Sequence, residues 1–220
     1  MIKLIVFDMD GVIVDTEYLD FQLQQAYIKE IAKEPSKLTH EDFSRLVGRS
    51  GVDLFRRIKQ LSQTSLSFEE IEQGLQKVEA EKYCKESYLP LFRKDIIAIL
   101  EYAKAHHIAL AVASSTQKKY ILDILLNCEI RDYFDVIVSG EDFEASKPDP
   151  AIYLSVLNQL SVPGHQALAV EDSPSGIAAA KNAGLKTVAY EEKRMAVDQK
   201  QADYIAEDMQ DVLEYIKRLN

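Results

Sequence analysis

The chain has 220 residues, 47% of them hydrophobic and 28% charged, an ordinary balance for a globular protein with one sizeable core or one core plus a smaller unit. The formal net charge of −10 speaks against a groove that follows nucleic-acid phosphates, which needs a basic excess. It does not exclude a phosphorylated small molecule, because a metal ion or one lysine can govern the charge of a single pocket.

Residues 2–7 (IKLIVF) read as a buried strand, and Gly11 permits a turn after it. Residues 17–87 then show helical patterns and no clear strand. In FQLQQAYIKEI the apolar residues Phe21, Leu23, Ala26, Tyr27, Ile28 and Ile31 lie roughly on one helical face. EDFSRLVG and VDLFRRIKQL give two more helices, separated by Gly48 and Gly51. A fourth follows in SFEEIEQGLQKVEAEKYCKE, with Ser67 and Glu70 at capping-box spacing. From residue 90 the pattern alternates. DIIAILEYAKAH is helical, IALAVASS a strand, QKKYILDILLN helical and FDVIVSG a strand. PAIYLSVLNQL is helical, capped by Asp149 with Pro150 in the first turn. QALAVED is a strand, SPSGIAAAKNAG a helix, LKTVAY a strand and DMQDVLEYIKRL the last helix. Alternation of this kind predicts an α/β fold with a Rossmann-like parallel sheet covered on both faces. The helical stretch interrupts it after the first strand. The expected organisation is therefore a core of residues 1–15 and 88–220 with an inserted helical cap of residues 16–87.

Three of these strands end in polar residues: Asp8 and Asp10, Ser114 and Ser115, Glu171 and Asp172. Lys147 lies in a loop before a helix. In open parallel sheets ligands bind beyond the carboxyl ends of strands, so these residues can share one site. Two carboxylates about 4 Å apart repel by roughly 4 kcal/mol at an effective dielectric near 20. Asp8, Asp10, Glu171 and Asp172 together therefore call for a cation, and ligands offering only oxygen favour Mg²⁺. Such a cation with Lys147 and Ser114 makes a receptacle for a phosphoryl group. Each piece also has a plain structural reading. The Asp-x-Asp pair can be a solvated turn, the serines can cap a helix, Lys147 can be a surface lysine, and Glu171 and Asp172 can be helix-entry acids before the cap Ser173 and Pro174. Their joint placement at strand ends favours the shared site.

In this order the residues resemble the haloacid-dehalogenase-like (HAD) hydrolases. FDMDGVIVDTE is similar to the family's nucleophile motif, AVASST to its strand-end hydroxyl motif, SKPDP to its lysine motif and VEDSPSGIAAAKNAG to its acidic motif. The helical stretch sits where that family carries an α-helical cap. The resemblance implies that Asp8 is the nucleophile, forming an aspartyl phosphate, and that Asp10 is the acid for the leaving alcohol and then the base for water. It implies that Ser114 and Lys147 hold phosphoryl oxygens, with Ser115 an alternative to Ser114. It also implies Mg²⁺ bound by Asp8, Asp172 and the backbone carbonyl of Asp10, supported by Glu171 directly or through water. Asp15 is expected to mark the exit into the cap and to hydrogen-bond turn amides.

The layout resembles the β-phosphoglucomutase branch and its sugar-phosphatase relatives. That mutase branch carries a His where this chain has Asp20, which speaks against mutase activity. Arg49 is a candidate second-phosphate contact, although the mutase arginine would sit nearer Gly51. The expected function is a Mg²⁺-dependent phosphatase acting on a small phosphorylated metabolite, a sugar phosphate foremost. The alternatives are a sugar-phosphate mutase and a non-catalytic binding protein on the same fold. The cysteines, Cys84 and Cys128, form no CxxC pair and fit a reducing cytoplasm. The N-terminus does not read as a signal peptide, and no apolar run reaches membrane-spanning length. A cytoplasmic monomer without nucleic-acid or membrane partners is expected.

Overall fold

The computed structural model describes residues 1–47 and 51–220. Among these residues six strands form one sheet: β1 (Leu4–Phe7), β2 (Ala109–Ser114), β3 (Val136–Ser139), β4 (Ala167–Glu171), β5 (Lys186–Tyr190) and β6 (Tyr204–Ala206). They are all parallel, in the order β3-β2-β1-β4-β5-β6. β1 is central. Its Phe7 aligns with Val112 on one side and Val170 on the other. All four β1 residues are buried, as expected for a parallel strand covered on both faces.

The helices are α1 (Thr16–Ile31), α2 (His40–Ser44), α3 (Gly51–Ser62), α4 (Phe68–Lys82), α5 (Lys85–Tyr88), α6 (Ile96–Ala105), α7 (Lys118–Asn127), α8 (Ala151–Leu160), α9 (Pro174–Asn182) and α10 (Met209–Leu219). The period-two alternation of β1 sends its side chains to two cores. Ile5 and Phe7 pack with residues of α6, α7 and α10, such as Ile99, Ile124 and Val212. Leu4 and Val6 pack with Tyr153 and Val156 of α8 and Ala180 of α9. The α/β reading of the sequence is thus correct.

Helices α1–α4 surround a third cluster that includes Phe21, Ile28, Phe43, Leu54, Ile58 and Ile71. Met195, from the loop after β5, is buried in it as well. The chain enters and leaves this helical segment through two adjacent passages. Asp15 N–H donates to the Leu91 carbonyl, and Arg93 N–H donates to the Ile13 carbonyl, both at 3.0 Å. The Asp15 side chain differs from expectation. It accepts from Arg93 (2.8 Å) and Arg194 (2.7 Å) rather than from turn amides, because two guanidiniums converge on it.

The local signals mostly act as read. Ser67 and Glu70 form a reciprocal capping box on α4, and Ser173 caps α9 with Pro174 at its first position. At α8 the cap residue is Pro150. Asp149 acts one residue further out, accepting from Ala151 N–H at 2.9 Å. β6 was not anticipated, since three residues at a sheet edge are too few to show an alternating pattern.

Candidate active site

The carboxyl ends of β1, β2 and β4 open into a cavity of about 360 Å³, walled on its far side by residues of α1, α2 and α4. Asp8 leaves β1 with its N–H still paired to the Val170 carbonyl at 3.0 Å, which fixes the residue to the sheet. The turn that follows depends on Gly11, at φ +77°. A Cβ at that position would lie 1.9 Å from Asp172 Oδ2, so the backbone of the turn runs directly against the end of β4.

Lys147 draws the strand ends together. Its ammonium donates to Asp8 Oδ1 (2.7 Å), Glu171 Oε1 (2.6 Å) and the Ala113 carbonyl (3.0 Å), which uses all three of its protons. Tyr153 OH also donates to Glu171 Oε1 at 2.5 Å. Gly176 leaves room for the same carboxylate, since a Cβ there would stand 2.0 Å from Glu171 Oε2. The backbone carbonyl of Asp172 accepts from Gln199 Nε2 at 2.6 Å.

Asp8, Glu171 and Asp172 bring carboxylate oxygens within 4.8 Å of one another. Burial pushes the Asp8 carboxyl up to about 7, with Glu171 and Asp10 adding to the rise and Lys147 opposing it. Asp172 is raised well above the usual carboxylate range by burial and by the charges of Glu17, Asp8 and Glu171. One lysine does not neutralise this group. Buried oxygen ligands that resist joint ionisation fit a hard divalent cation such as Mg²⁺.

Asp10 faces away from that group. Its Oδ1 accepts from Thr16 Oγ1 (2.5 Å) and its Oδ2 from Thr116 Oγ1 (2.6 Å), while Tyr83 OH reaches both oxygens at 3.1 and 2.9 Å. Lys82 Nζ lies 3.7 Å from Oδ1. Burial alone would raise this carboxyl. Lys82 and the hydroxyls of Thr116, Thr16 and Tyr83 outweigh it and hold Asp10 below its ordinary range. This arrangement favours the ionised form of Asp10, which lines the cavity between the sheet and the helical segment.

The remaining expected residues fall as follows. Ser114 and Ser115 both line the cavity. Ser114 is buried, and its Oγ accepts from Thr116 N–H at 3.2 Å, whereas Ser115 is exposed. Asp20 lines the cavity too, held by Gln24 Nε2 at 2.5 Å and by Lys82 at 3.7 Å. Arg49 lies outside the described residues. The side-chain cluster of Asp8, Glu171 and Asp172 excludes the Asp10 carboxylate, which leaves the backbone carbonyl as that residue's candidate ligand atom.

Sequence reasoning passed over Lys82, Tyr83, Thr16, Thr116, Tyr153 and Glu17. Thr116 carried a signal, since it is the third hydroxyl in a row from the last residue of β2, and Glu17 stands within the same stretch as the two aspartates. Lys82 and Tyr83 carried none. They end a helix far along the chain, and only the packing of α4 brings them to Asp10.

Comparison with known proteins agrees with this geometry. The sequence profile of haloacid dehalogenase-like hydrolases matches residues 5–190. A phosphorylated carbohydrates phosphatase of Thermotoga maritima is 32% identical over 184 residues, covering 84% of this chain and 82% of the relative. The structure of CbbY from Rhodobacter sphaeroides in complex with xylulose-(1,5)-bisphosphate is 25% identical, with a TM-score of 0.71 over 95% of each chain. That of β-phosphoglucomutase from Clostridium difficile shares the fold at a TM-score of 0.79 and 23% identity, covering 99% of this chain and 96% of that one. A profile match over most of the chain, a relative above 30% identity and the convergence of Asp8, Lys147, Glu171 and Asp172 at the strand ends give one conclusion: this chain belongs to the haloacid dehalogenase-like hydrolases.

Proposed function

We propose that the protein is a Mg²⁺-dependent phosphatase of a small phosphorylated metabolite, a sugar phosphate foremost, working through an aspartyl phosphate on Asp8. The observation that carries this reading is the placement of two aspartates, two residues apart, at the end of one strand. Asp8 is fixed at the strand end among Lys147, Glu171 and Asp172, and Asp10 is fixed two residues on with its carboxyl turned to the cavity. Asp8 Oδ2 has no hydrogen-bond partner among the described residues, so it is free to attack phosphorus. Bound Mg²⁺, held by Asp8, Asp172 and the Asp10 backbone carbonyl with Glu171 in support, supplies neutralisation of the phosphoryl charge.

The protein's own groups carry the rest. Asp10 is ionised in the free site and takes up a proton as the anionic ester binds beside it, since a neighbouring negative charge raises a carboxyl. Asp8 then forms a bond to phosphorus as the ester oxygen leaves, and that oxygen takes the proton from Asp10. Asp10 then accepts a proton from water as the water attacks the aspartyl phosphate, releasing phosphate and restoring Asp8. Lys147 and Ser114, with Ser115 beside it, hold phosphoryl oxygens. The strand and turn supply rigid positions for both aspartates. Residues 16–87 act as a cap over the core. They close about hinges near residues 15–18 and 85–90, next to the paired passages of the chain, and closure excludes bulk water during attack.

A phosphatase is favoured over a mutase because Asp20 stands where the mutase branch carries a His, and its carboxyl is held by Lys82 and Gln24. A cytoplasmic setting fits the two unpaired cysteines, Cys84 and Cys128. No helix among the described residues is long and apolar enough to cross a membrane. The test is phosphate release from a panel of phosphorylated metabolites, with Mg²⁺ and with chelator. Mg²⁺-dependent release is the expected result. Isomerisation of β-glucose 1-phosphate without release would replace the reading by a mutase, and neither activity would leave a binding protein.

A further inference from the structure

The loop between β5 and β6 is fixed to the sheet at both ends and leaves it in between. Glu191 N–H donates to the Ala206 carbonyl at 2.9 Å, and Asp203 N–H donates to the Thr187 carbonyl at 2.8 Å. Its middle reaches the helical segment. The Arg194 guanidinium bonds both oxygens of Asp15 at 2.7 Å and lies 4.1 Å from the centre of the Tyr18 ring. His40 Nε2 donates to the Arg194 carbonyl at 2.9 Å. Met195 is 5% exposed and joins the cluster of Phe21, Phe43 and Ile58 that α1–α4 surround. Four residues on, Gln199 is buried against the core. Its Nε2 donates to the carbonyls of Asp172 (2.6 Å) and Tyr190 (2.8 Å), and its Oε1 accepts from Glu192 N–H (3.2 Å). All these partners are backbone groups, so one orientation of the amide satisfies them.

We propose that this loop is a strap coupling the position of the helical segment to the cation end of the site, with Met195 as its anchor in the helical cluster and Gln199 as the positioning residue of Asp172. The inference rests on Asp172 as a cation ligand and on closure of residues 16–87, both part of the phosphatase reading above. Met195 belongs to the core by chain connection and to the helical segment by packing. When that segment swings away, the thioether either leaves its apolar seat or draws the loop with it. Four residues span at most about 14 Å when fully extended, so a large swing at one anchor is felt at the other. The Asp172 carbonyl is the far end of this connection. Held by Gln199, it fixes the peptide between β4 and α9, and with it the direction in which the Asp172 carboxylate faces Asp8 and Glu171. Groups that orient the ligands of a cation in this way set its affinity. Coupling between sites is reciprocal, so a cation at Asp172 favours a seated Met195 as much as a seated Met195 favours the cation. Neither Met195 nor Gln199 lines the cavity, so the effect does not pass through substrate contacts.

The experiment uses the full chain and needs no turnover. Mg²⁺ is titrated by calorimetry, and the rate at which dilute hydrogen peroxide converts Met195 to its sulfoxide is followed by mass spectrometry with and without Mg²⁺. Met1, which is 83% exposed, and the buried Met209 are references in the same protein. Saturating Mg²⁺ is expected to slow oxidation of Met195 by roughly fivefold, the lower end of usual coupling between sites, and to leave Met1 and Met209 unchanged. Gln199→Leu is expected to raise the Kd for Mg²⁺ by roughly tenfold and to abolish the protection of Met195. Met195→Ala is expected to raise that Kd by roughly fivefold, and Met195→Leu, which refills the seat, to restore it. The double variant with Met195→Ala and Gln199→Leu is expected to bind Mg²⁺ no more weakly than Gln199→Leu alone, because both act along one connection. Thermal melts check that each variant is folded; if one is not, the oxidation of the wild type decides alone. Met195 oxidation indifferent to Mg²⁺, an unchanged Kd in Met195→Ala, or additive losses in the double variant overturns the inference while the phosphatase reading stands. If the wild type binds no Mg²⁺, that reading falls and the inference with it.

Discussion

Lys82 Nζ, at the end of α4, lies 3.7 Å from Asp10 Oδ1, so a cation carried by the helical segment rests on the candidate proton carrier of the sheet. The same ammonium lies 3.7 Å from Asp20 Oδ1. Both acids and the lysine are largely withdrawn from solvent, so removing the lysine leaves two carboxylates facing each other without a counter-charge. For Lys82→Met we expect a stability loss of roughly 3 kcal/mol, the scale for breaking a buried ion pair. The Asp10 carboxyl loses its main charge partner and its pKa rises. The limb of the kcat/KM–pH profile that reports Asp10 is therefore expected to move to higher pH. Thermal melts and that profile check both halves, and an unmoved profile would separate Lys82 from Asp10.

Asp10→Asn removes the proton carrier but keeps an oxygen to accept from Thr16, Tyr83 or Thr116. We expect kcat to fall by about 10²–10⁴, the usual scale of general acid–base catalysis, in a protein that still folds but melts at a lower temperature, because Lys82 keeps only Asp20 as a counter-charge. Steady-state kinetics beside a thermal melt distinguish this outcome from misfolding.

The pH dependence of cation binding follows from Asp8 and Asp172. Both are raised in the cation-free site, Asp8 to about 7. The folded protein therefore keeps protons that the unfolded chain has already lost. The stability contributed by these groups is complete below the unfolded carboxylate range and is lost as pH rises through the raised values. Cation binding displaces the same protons, so affinity rises with pH. At a fixed millimolar Mg²⁺ concentration the gain in melting temperature is expected to be larger at pH 8 than at pH 6. An equal gain at both would mean that these carboxyls are not the ligands.

Gly11→Ala is expected to damage the site directly. The position has φ +77°, and the added methyl would stand 1.9 Å from Asp172 Oδ2. Backbone strain of this kind costs of order 1–3 kcal/mol. Displacement of Asp172 should also weaken Mg²⁺ binding, so titration of Mg²⁺ by calorimetry should show a larger loss than the melting temperature alone suggests.

Much of the fold was legible because parallel strands covered on both faces are continuous apolar runs. LIVF, ALAVAS and ALAVE each stand out, and each ends in acids or hydroxyls at the sheet's carboxyl edge. Asp8, Ser114, Lys147 and Asp172 were therefore readable as one group. The donors around Asp10 were not. Tyr83 and Lys82 reach it from α4, more than seventy residues along the chain, and nothing local in EAEKYCKE marks them. The loop after β5 was similarly opaque. Arg194, Met195 and Gln199 connect Asp15, the helical cluster and Asp172, yet the stretch reads as a polar loop.

The most direct test of the account is whether a phosphoryl group passes through Asp8. Acid quenching during turnover of a phosphate ester with Mg²⁺, followed by mass spectrometry of the peptide bearing Asp8, should find that peptide phosphorylated in the wild type. In Asp8→Asn the modification and the turnover should both be absent while the protein remains folded. Normal turnover by Asp8→Asn, or a phosphoryl group on another residue, would contradict the account.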